Sequence, residues 1–435
     1  MNDSVTISSR IPDFAWAASL GLPARFLEAA QAAHEATSVQ REAVRRRSEA
    51  NHLKVLQAFL EEGWSDGHFS GTTGYGFHDG GREILDATVA RIFGAEAACV
   101  RWTFVSGTHA LSALLFGNLR PGDHLVALTG MPYDTLKPVI EGEPGSLSSW
   151  GVGFEAVPLR PDGTVDREAA AQAVARPGVR MAYVQRSCGY DWRPSLDIAA
   201  MRDLIRDCKA ANPNLVVLVD NCYGEMVEDL EPTQVGADCV AGSLIKNLGG
   251  TIAPTGGYIA GRADLVRNAV TSATAPGICG EEGATLSITR TLAQGLFFAP
   301  LVVGEALQGA VWAAALFRSL GFDVSPGPSD LRTDIIQAIR LGSAKALAAF
   351  CRGVQAAGPI DARAVPHPVQ NPGYRDPIIM AGGSFIQGSS MELSADGPLR
   401  EPFAVYLQGG ISSAHVKMGV LLAPRELHRE GFVAG

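Results

Sequence analysis

Residues 215–223 read Leu-Val-Val-Leu-Val-Asp-Asn-Cys-Tyr, and this stretch decides the fold. An apolar run from 215 to 219 without polar alternation describes a strand buried on both faces. Such a strand belongs inside a mostly parallel sheet covered by helices on either side. The run ends in a carboxylate, Asp220, at the edge where open α/β sheets bind ligands. Taken alone, an acid there could equally be a helix cap or a surface group. Just upstream, residues 197–210 form an amphipathic helix pattern with Ile198, Met201, Leu204, Ile205 and Cys208 on one face.

Working outward, the same alternation repeats. Further strands are expected at 98–105, 124–128, 153–159, 181–185, 238–241 and 256–260, with helices at 82–93 and 108–118. Residues 22–62 read as helical, because no Gly or Pro follows Pro23 in that stretch. Residues 64–82 form a Gly, Thr and aromatic loop of the kind that carries function. Helices are expected at 301–320 and 333–353, followed by a mixed region. The expected organisation is a helical segment at 1–63, a large α/β domain at 64–299 and a smaller α+β domain at 300–435.

Composition narrows the function. Hydrophobic residues are 46% and charged residues 19% of 435, as in an ordinary globular protein. The formal charge of -9 disfavours nucleic acid and acidic membranes as partners. The run Arg45-Arg46-Arg47 is too short to change that and reads as a solvated helix face. Seven scattered cysteines without CxxC spacing argue against a disulfide framework or a metal site. No basic-then-apolar leader and no long uninterrupted apolar window are seen, so a cytoplasmic location is expected.

Two further features fall at expected strand ends. Ser106-Gly107-Thr108 lies between a strand and a helix, where successive N–H groups can cradle an anion. A simple helix cap would look the same. Lys246 follows Gly-Ser-Leu-Ile, with Asp238 and Arg262 as its nearest charged neighbours in sequence. The chain has only six lysines in its 36 basic residues, so a Lys-rich composition did not place this one. A snorkelling surface lysine is the plain alternative, but the apolar, Gly-rich setting argues against it. Burial is expected to lower the pKa of Lys246 and make its amine nucleophilic. A phosphate turn, an acid and a lysine in this order are what pyridoxal phosphate needs.

At this point the chain resembles the fold-type-I pyridoxal-phosphate enzymes. It is most similar to the methionine γ-lyase-like, or "aluminium resistance", family related to cystathionine β-lyase. The carrying segments include His-Phe-Ser-Gly-Thr-Thr-Gly-Tyr-Gly (68–76), Phe-Val-Ser-Gly-Thr-His-Ala (104–110) and Val-Asp-Asn-Cys-Tyr-Gly-Glu (219–225). Gly-Ser-Leu-Ile-Lys-Asn (242–247), Ala-Pro-Thr-Gly-Gly-Tyr-Ile-Ala-Gly (253–261), residues 385–402 and Tyr-Leu-Gln-Gly-Gly (406–410) continue the match.

The resemblance implies a mostly parallel seven-stranded sheet flanked by helices, a smaller C-terminal α+β domain, and pyridoxal 5'-phosphate as cofactor. Lys246 would be the Schiff-base lysine and the base at Cα, and Asp220 would pair with the pyridinium nitrogen. Gly107 and Thr108, with Ser106 and Ser243, would hold the phosphate. Tyr133 would stack on the ring and act as a general acid. Tyr75 would reach the phosphate across a subunit interface. The implied reaction is β- or γ-elimination on a sulfur-containing amino acid, giving keto acid, ammonia and thiol. Other reactions on the same cofactor stay open: γ-substitution, racemisation, transamination, or binding without turnover. A homo-oligomer is implied, a dimer sharing active sites and a tetramer built from it.

There are departures. Phe77 stands where the wider superfamily has an arginine, and Arg82 is a candidate substitute. Ile245 replaces a hydroxyl residue, Phe77-His78 replaces a tyrosine–acid pair, and Cys188 replaces a lysine. These changes are expected on the substrate side. Arg400, Arg186 and Arg193 are candidates for the substrate carboxylate, which calls for an arginine fork. A Ser243-x-x-Lys246 acyl-enzyme reading lacks its companion Lys-Thr-Gly and Ser-Asp-Asn motifs.

Overall fold

A computed structural model describes residues 14–434. The helices and strands, in chain order, are α1 (Ala24–Ala36), α2 (Ser38–Glu62), α3 (Gly80–Phe93), β1 (Ala97–Arg101), α4 (Gly107–Asn118), β2 (His124–Ala127), α5 (Lys137–Ile140), β3 (Gly153–Ala156), α6 (Arg167–Val174), β4 (Val179–Gln185), α7 (Ile198–Ala211), β5 (Val216–Asp220), β6 (Cys239–Ser243), β7 (Gly257–Gly261) and α8 (Ala263–Ala273). Then come α9 (Thr289–Ser319), β8 (Val324–Ser325), β9 (Gln337–Arg340), α10 (Ala344–Gln355), β10 (Ile378–Ala381), β11 (Ser394–Pro398), β12 (Ala404–Gln408) and α11 (Ser413–Arg429).

The first seven strands form one sheet in the order β1-β7-β6-β5-β4-β2-β3. Only β7 runs against the others. The apolar run at 215–219 is explained by its neighbours. Val217 and Val219 pack into one core cluster with α2, α3, α7 and α9, while Val216 and Leu218 pack into the opposite cluster with α4 and α8. A strand with both faces buried has no solvent side to mark with polar residues. Helix α7 buries the five expected apolar residues, and Asp197 caps it by accepting from the Ala200 N–H.

The second sheet, β10-β11-β12-β9-β8, is antiparallel throughout. It packs with α1, α10, α11 and the end of α9 around its own core. Helix α9 starts well before residue 301 and runs through Pro300, so the 299/300 boundary falls inside it. Its length and hydropathy would suit a membrane span, but 72% of its most apolar window is buried inside the protein. It is a core helix serving both sheets.

Three expectations are corrected. The helix expected over 22–62 is broken at Thr37, whose hydroxyl donates to the Ala33 carbonyl at 2.7 Å. The strand expected to reach residue 105 stops at Arg101. The helix expected from 333 is first a strand, β9, and helix begins only at Ala344. Ser343 marks that start, its hydroxyl accepting from the Ala346 N–H at 3.2 Å.

Candidate active site

Because six of the seven strands share a direction, their carboxyl ends meet along one edge of the sheet. A cavity of about 620 Å³ opens there. Asp220 at the end of β5, Ser243 at the end of β6, Lys246 beyond it, Tyr133 in the segment after β2 and Ser106, Gly107 and Thr108 at the start of α4 all line it.

The start of α4 is built to leave donors free. Ser106 Oγ accepts from the His109 N–H at 3.1 Å, the third amide of the helix. The first two amides, of Gly107 and Thr108, have no carbonyl within the helix to bond. Gly107 keeps this approach close: a Cβ there would lie 3.2 Å from Ser243 Cβ and 3.4 Å from Cys222 Sγ, so a side chain would have to push its neighbours back by a few tenths of an ångström. The N-terminus of α4 is thereby pressed against the end of β6, beside the Ser243 hydroxyl. Free amides, a helix dipole and a nearby hydroxyl suit a phosphate.

Asp220 is held from two sides: Tyr183 donates to Oδ2 at 3.2 Å, and the Cys222 N–H to Oδ1 at 3.1 Å. Burial pushes its carboxyl up, further than those bonds pull it down. Such an acid is ready to take a cationic ring N–H.

Lys246 is partly buried, its Nζ 4.7 Å from the centre of the Tyr223 ring. Among the described residues it makes no ion pair. Burial works to lower its pKa, but the acid groups around it, Cys222, Tyr223, Tyr133 and Asp220, hold it above the ordinary lysine value. The expectation of a lowered pKa is therefore corrected: neighbours outweigh desolvation, and the amine is stored as an ammonium.

Tyr133 is fixed at both ends. Its backbone N–H donates to Gln185 Oε1 at 2.9 Å, and its hydroxyl shares a 2.8 Å hydrogen bond with Thr108 Oγ1. Burial pushes the phenol well up. The ring faces the cavity, while the hydroxyl is committed to Thr108 at the start of α4.

The arginines separate. Arg400 lines the cavity and faces three carboxylates: Asp376 at 3.0 Å, Asp191 at 3.5 Å and Asp134 at 3.8 Å. Arg186 does not line it. Its side chain is fully buried, bonding Asn221 Oδ1 and Glu228 Oε2 at 2.8 Å and the Gly224 carbonyl at 2.9 Å. It cannot meet a substrate, because it is spent within the core. Arg193 is likewise consumed by the carbonyls of Pro194, Gln185 and Ser187.

Arg82 does not substitute for a phosphate ligand. Its guanidinium binds the carbonyls of Gly76 and Gly283 at 2.9 Å and of Glu281 at 3.2 Å. Together with Asp79, which accepts from Thr72 and Thr285, it staples the 71–82 loop to the 275–288 loop. Tyr75, at the tip of that pair, is 68% exposed and stacks on Phe77 at 5.5 Å, outside this chain's own cavity. Of the departures, Ile245 lines the cavity. Cys188 instead packs with Ile336, Ala338, Ala404 and Tyr406 behind the wall, and Phe77 and His78 lie in the exposed loop.

Sequence reasoning missed Cys222, Tyr190, Tyr223, Tyr374 and Gln408, all of which line the cavity. A signal for part of this was present. Gln185 and Ser187 line the cavity while Arg186 points into the core, as alternation along an extended chain requires.

Comparison with known proteins follows the same lines. A family model described as methionine gamma-lyase matches residues 26–428. Protein YnbB of Bacillus subtilis (strain 168), itself uncharacterized, is 46% identical over 390 residues, covering 89% of this chain and 92% of that one. The crystal structure of a carbon-sulfur lyase involved in aluminum resistance from Clostridium novyi NT superposes with a TM-score of 0.90 at 42% identity, covering 95% of this chain and 98% of that one. The pyridoxal-5'-phosphate dependent protein YhfS from Escherichia coli superposes with a TM-score of 0.60 at 16% identity, over 89% of this chain and 97% of that one, which shows a shared fold alone.

Proposed function

This chain belongs to the methionine gamma-lyase family, and from that premise we propose that it is a pyridoxal-phosphate-dependent carbon–sulfur lyase acting on a sulfur-containing amino acid by β- or γ-elimination. The observation that carries this reading is the meeting of Lys246, Asp220 and the start of α4 in one cavity. The residues fit the cofactor. Gly107 and Thr108 amides with the Ser106 and Ser243 hydroxyls would hold its phosphate, Asp220 its ring nitrogen and Tyr133 its ring face. When bound, the cofactor supplies an aldehyde for an amine and a ring that withdraws electrons from Cα.

The chain's own residues do the rest. Lys246 holds or moves the Cα proton at Nζ. Asp220, raised by burial, keeps a proton shared with the ring nitrogen. Arg400 orients the substrate carboxylate, its surplus of aspartates keeping it charged and fixed. The apolar residues of the lining exclude water from the reacting carbon.

The test uses wild-type protein and Lys246→Ala incubated with pyridoxal phosphate. Wild type is expected to gain visible absorbance and to release keto acid and ammonia from a panel of thioether amino acids; the variant should do neither. An unchanged spectrum in Lys246→Ala would sink the assignment.

The same reading includes a homo-oligomer of dimers in which Tyr75 serves a neighbouring copy's phosphate, motivated by its exposure outside its own cavity. Mixed, refolded Tyr75→Ala and Lys246→Ala subunits should regain activity that neither has alone. No recovery in verified hybrids would refute sharing.

A further inference from the structure

The leaving sulfur of such a reaction needs a proton, and the cavity wall holds four tyrosines: Tyr133, Tyr190, Tyr223 and Tyr374. Tyr133 has its hydroxyl committed to Thr108 at the phosphate end. Tyr223 lies under Lys246, 4.7 Å from its Nζ. Tyr190 alone among the four bonds a carboxyl: its hydroxyl donates to Asp396 Oδ2 at 3.2 Å.

Among the described residues no cation is paired with Asp396. On the antiparallel β11–β12 pair, Asp396 lies opposite Tyr406 and Ser394 opposite Gln408, so Gln408 reaches the acid diagonally. Gln408 Nε2 donates to the same Oδ2 at 2.8 Å, and its own buried Oε1 has no partner among the described residues. The Tyr190 ring is held 5.5 Å from that of Tyr406 and 6.2 Å from that of Tyr374. Its backbone carbonyl accepts from Arg400 at 3.4 Å, so the Tyr190 main chain sits beside the candidate carboxylate site in the cavity that both residues line.

We propose that Tyr190 is the catalytic acid that protonates the departing sulfur, and that Asp396 is the positioning residue that returns the proton. This rests on the lyase reading above. The carbon–sulfur bond breaks and its electron pair leaves with sulfur. With Asp396 protonated, the 3.2 Å bond runs the other way, Asp396 O–H to the Tyr190 oxygen, which frees the Tyr190 O–H to face sulfur. The Tyr190 O–H breaks as S–H forms, and the Asp396 O–H breaks as Tyr190 regains its proton. Asp396 ends as a carboxylate and takes a proton from solvent before the next turnover. The pairing answers a physical difficulty: a lone buried phenol would be left as a desolvated phenolate, which is costly. With Asp396 behind it, no phenolate persists.

Burial pushes the Asp396 carboxyl up to about 7, so it holds a proton near neutrality. The titratable groups around it are the hydroxyls of Tyr190, Tyr223 and Tyr374, the Cys351 thiol and the Lys246 ammonium. Each of these is held above its ordinary value, leaving Asp396 as the group that changes charge near pH 7.

The test compares two leaving groups on the holoenzyme: the thiolate of an S-alkyl cysteine, which needs a proton, and the chloride of β-chloroalanine, which does not. Tyr190→Phe is expected to slow thiolate loss about 10²-fold or more and leave chloride loss nearly unchanged. Wild-type thiolate loss should fall as pH rises through about 7, and Asp396→Asn should be slow and lack that limb. Infrared spectra of the protein should show a protonated carboxyl lost through the same pH range in wild type and missing in Asp396→Asn. Equal slowing of both substrates, or none, in Tyr190→Phe overturns the proposal, as does a persisting pH limb in Asp396→Asn. Tyr190→Phe keeps the ring packing, so the comparison stands even where Asp396→Asn folds poorly. Wild type that eliminates neither group overturns the lyase reading itself, a result distinct from either variant's.

Discussion

Replacing Arg186 by Met tests the division between arginines that serve the fold and arginines that serve the cavity. Its guanidinium bonds Glu228, Asn221 and the Gly224 carbonyl, and lies 3.9 Å from Glu231. Removing one partner of a buried ion pair costs about 3–5 kcal/mol, because the remaining charge is left without compensation. The local structure places the loss at the lower end. Glu228 also accepts from the Ile198 N–H at 3.1 Å, and Glu231 from Asn221 Nδ2 and the Met226 N–H at 2.9 Å. We therefore expect Arg186→Met to lose about 3 kcal/mol, read as a lower urea midpoint with an unchanged slope. Properly folded variant should keep its KM for an amino-acid substrate. The reasoning is refuted if stability falls by less than about 1 kcal/mol while KM rises steeply, since Arg186 would then be reaching a substrate.

Gly107→Ala should weaken pyridoxal phosphate binding about tenfold or more, because its methyl meets Ser243 Cβ at 3.2 Å and Cys222 Sγ at 3.4 Å; fluorescence titration of the cofactor would show this, and unaltered affinity would remove Gly107 from the cradle. Glu225 is buried, bonded by Tyr258 at 2.8 Å, and burial raises its carboxyl from 4.5 to about 8. A carboxyl raised on folding keeps a proton that the unfolded chain releases, so it disfavours the fold increasingly as pH climbs from about 4.5 to about 8. Glu225→Gln should flatten that decline and be the more stable protein at pH 8, by on the order of a few kcal/mol; parallel denaturation curves for the two proteins across this range would contradict it.

Much of the sheet was legible because its strands carry a one-letter signature. Residues 215–219 could only be buried on both sides, and the five apolar positions of α7 could only share a face. Asp220 and Lys246 were legible for a related reason: each is a charge at the end of an apolar strand. What was not legible depends on long-range approach. Tyr190 and Asp396 are 206 residues apart in the chain, and neither has a local pattern that points to the other. Arg186 was misread because a guanidinium after a strand looks the same whichever way it points. The parity of its neighbours, Gln185 and Ser187, carried the answer. Strand β9 was misread as helix because Ile335, Ile336, Ala338 and Ile339, interrupted only by Gln337, fit either structure until Ser343 is recognised as a cap.

The turn after Lys246 meets α9 backbone to backbone. A Cβ on Gly250 would lie 2.2 Å from the Gly295 carbonyl oxygen, and one on Gly295 would lie 2.3 Å from that of Gly249. With no side chain between them there is nothing compressible in the joint. The helix that carries this joint at one end braces the second sheet, and hence Asp396 and Gln408, at the other. The molecule therefore behaves as a caliper with a welded pivot. The distance from Lys246 to the second sheet is held at this joint by backbone against backbone, with no side chain to yield.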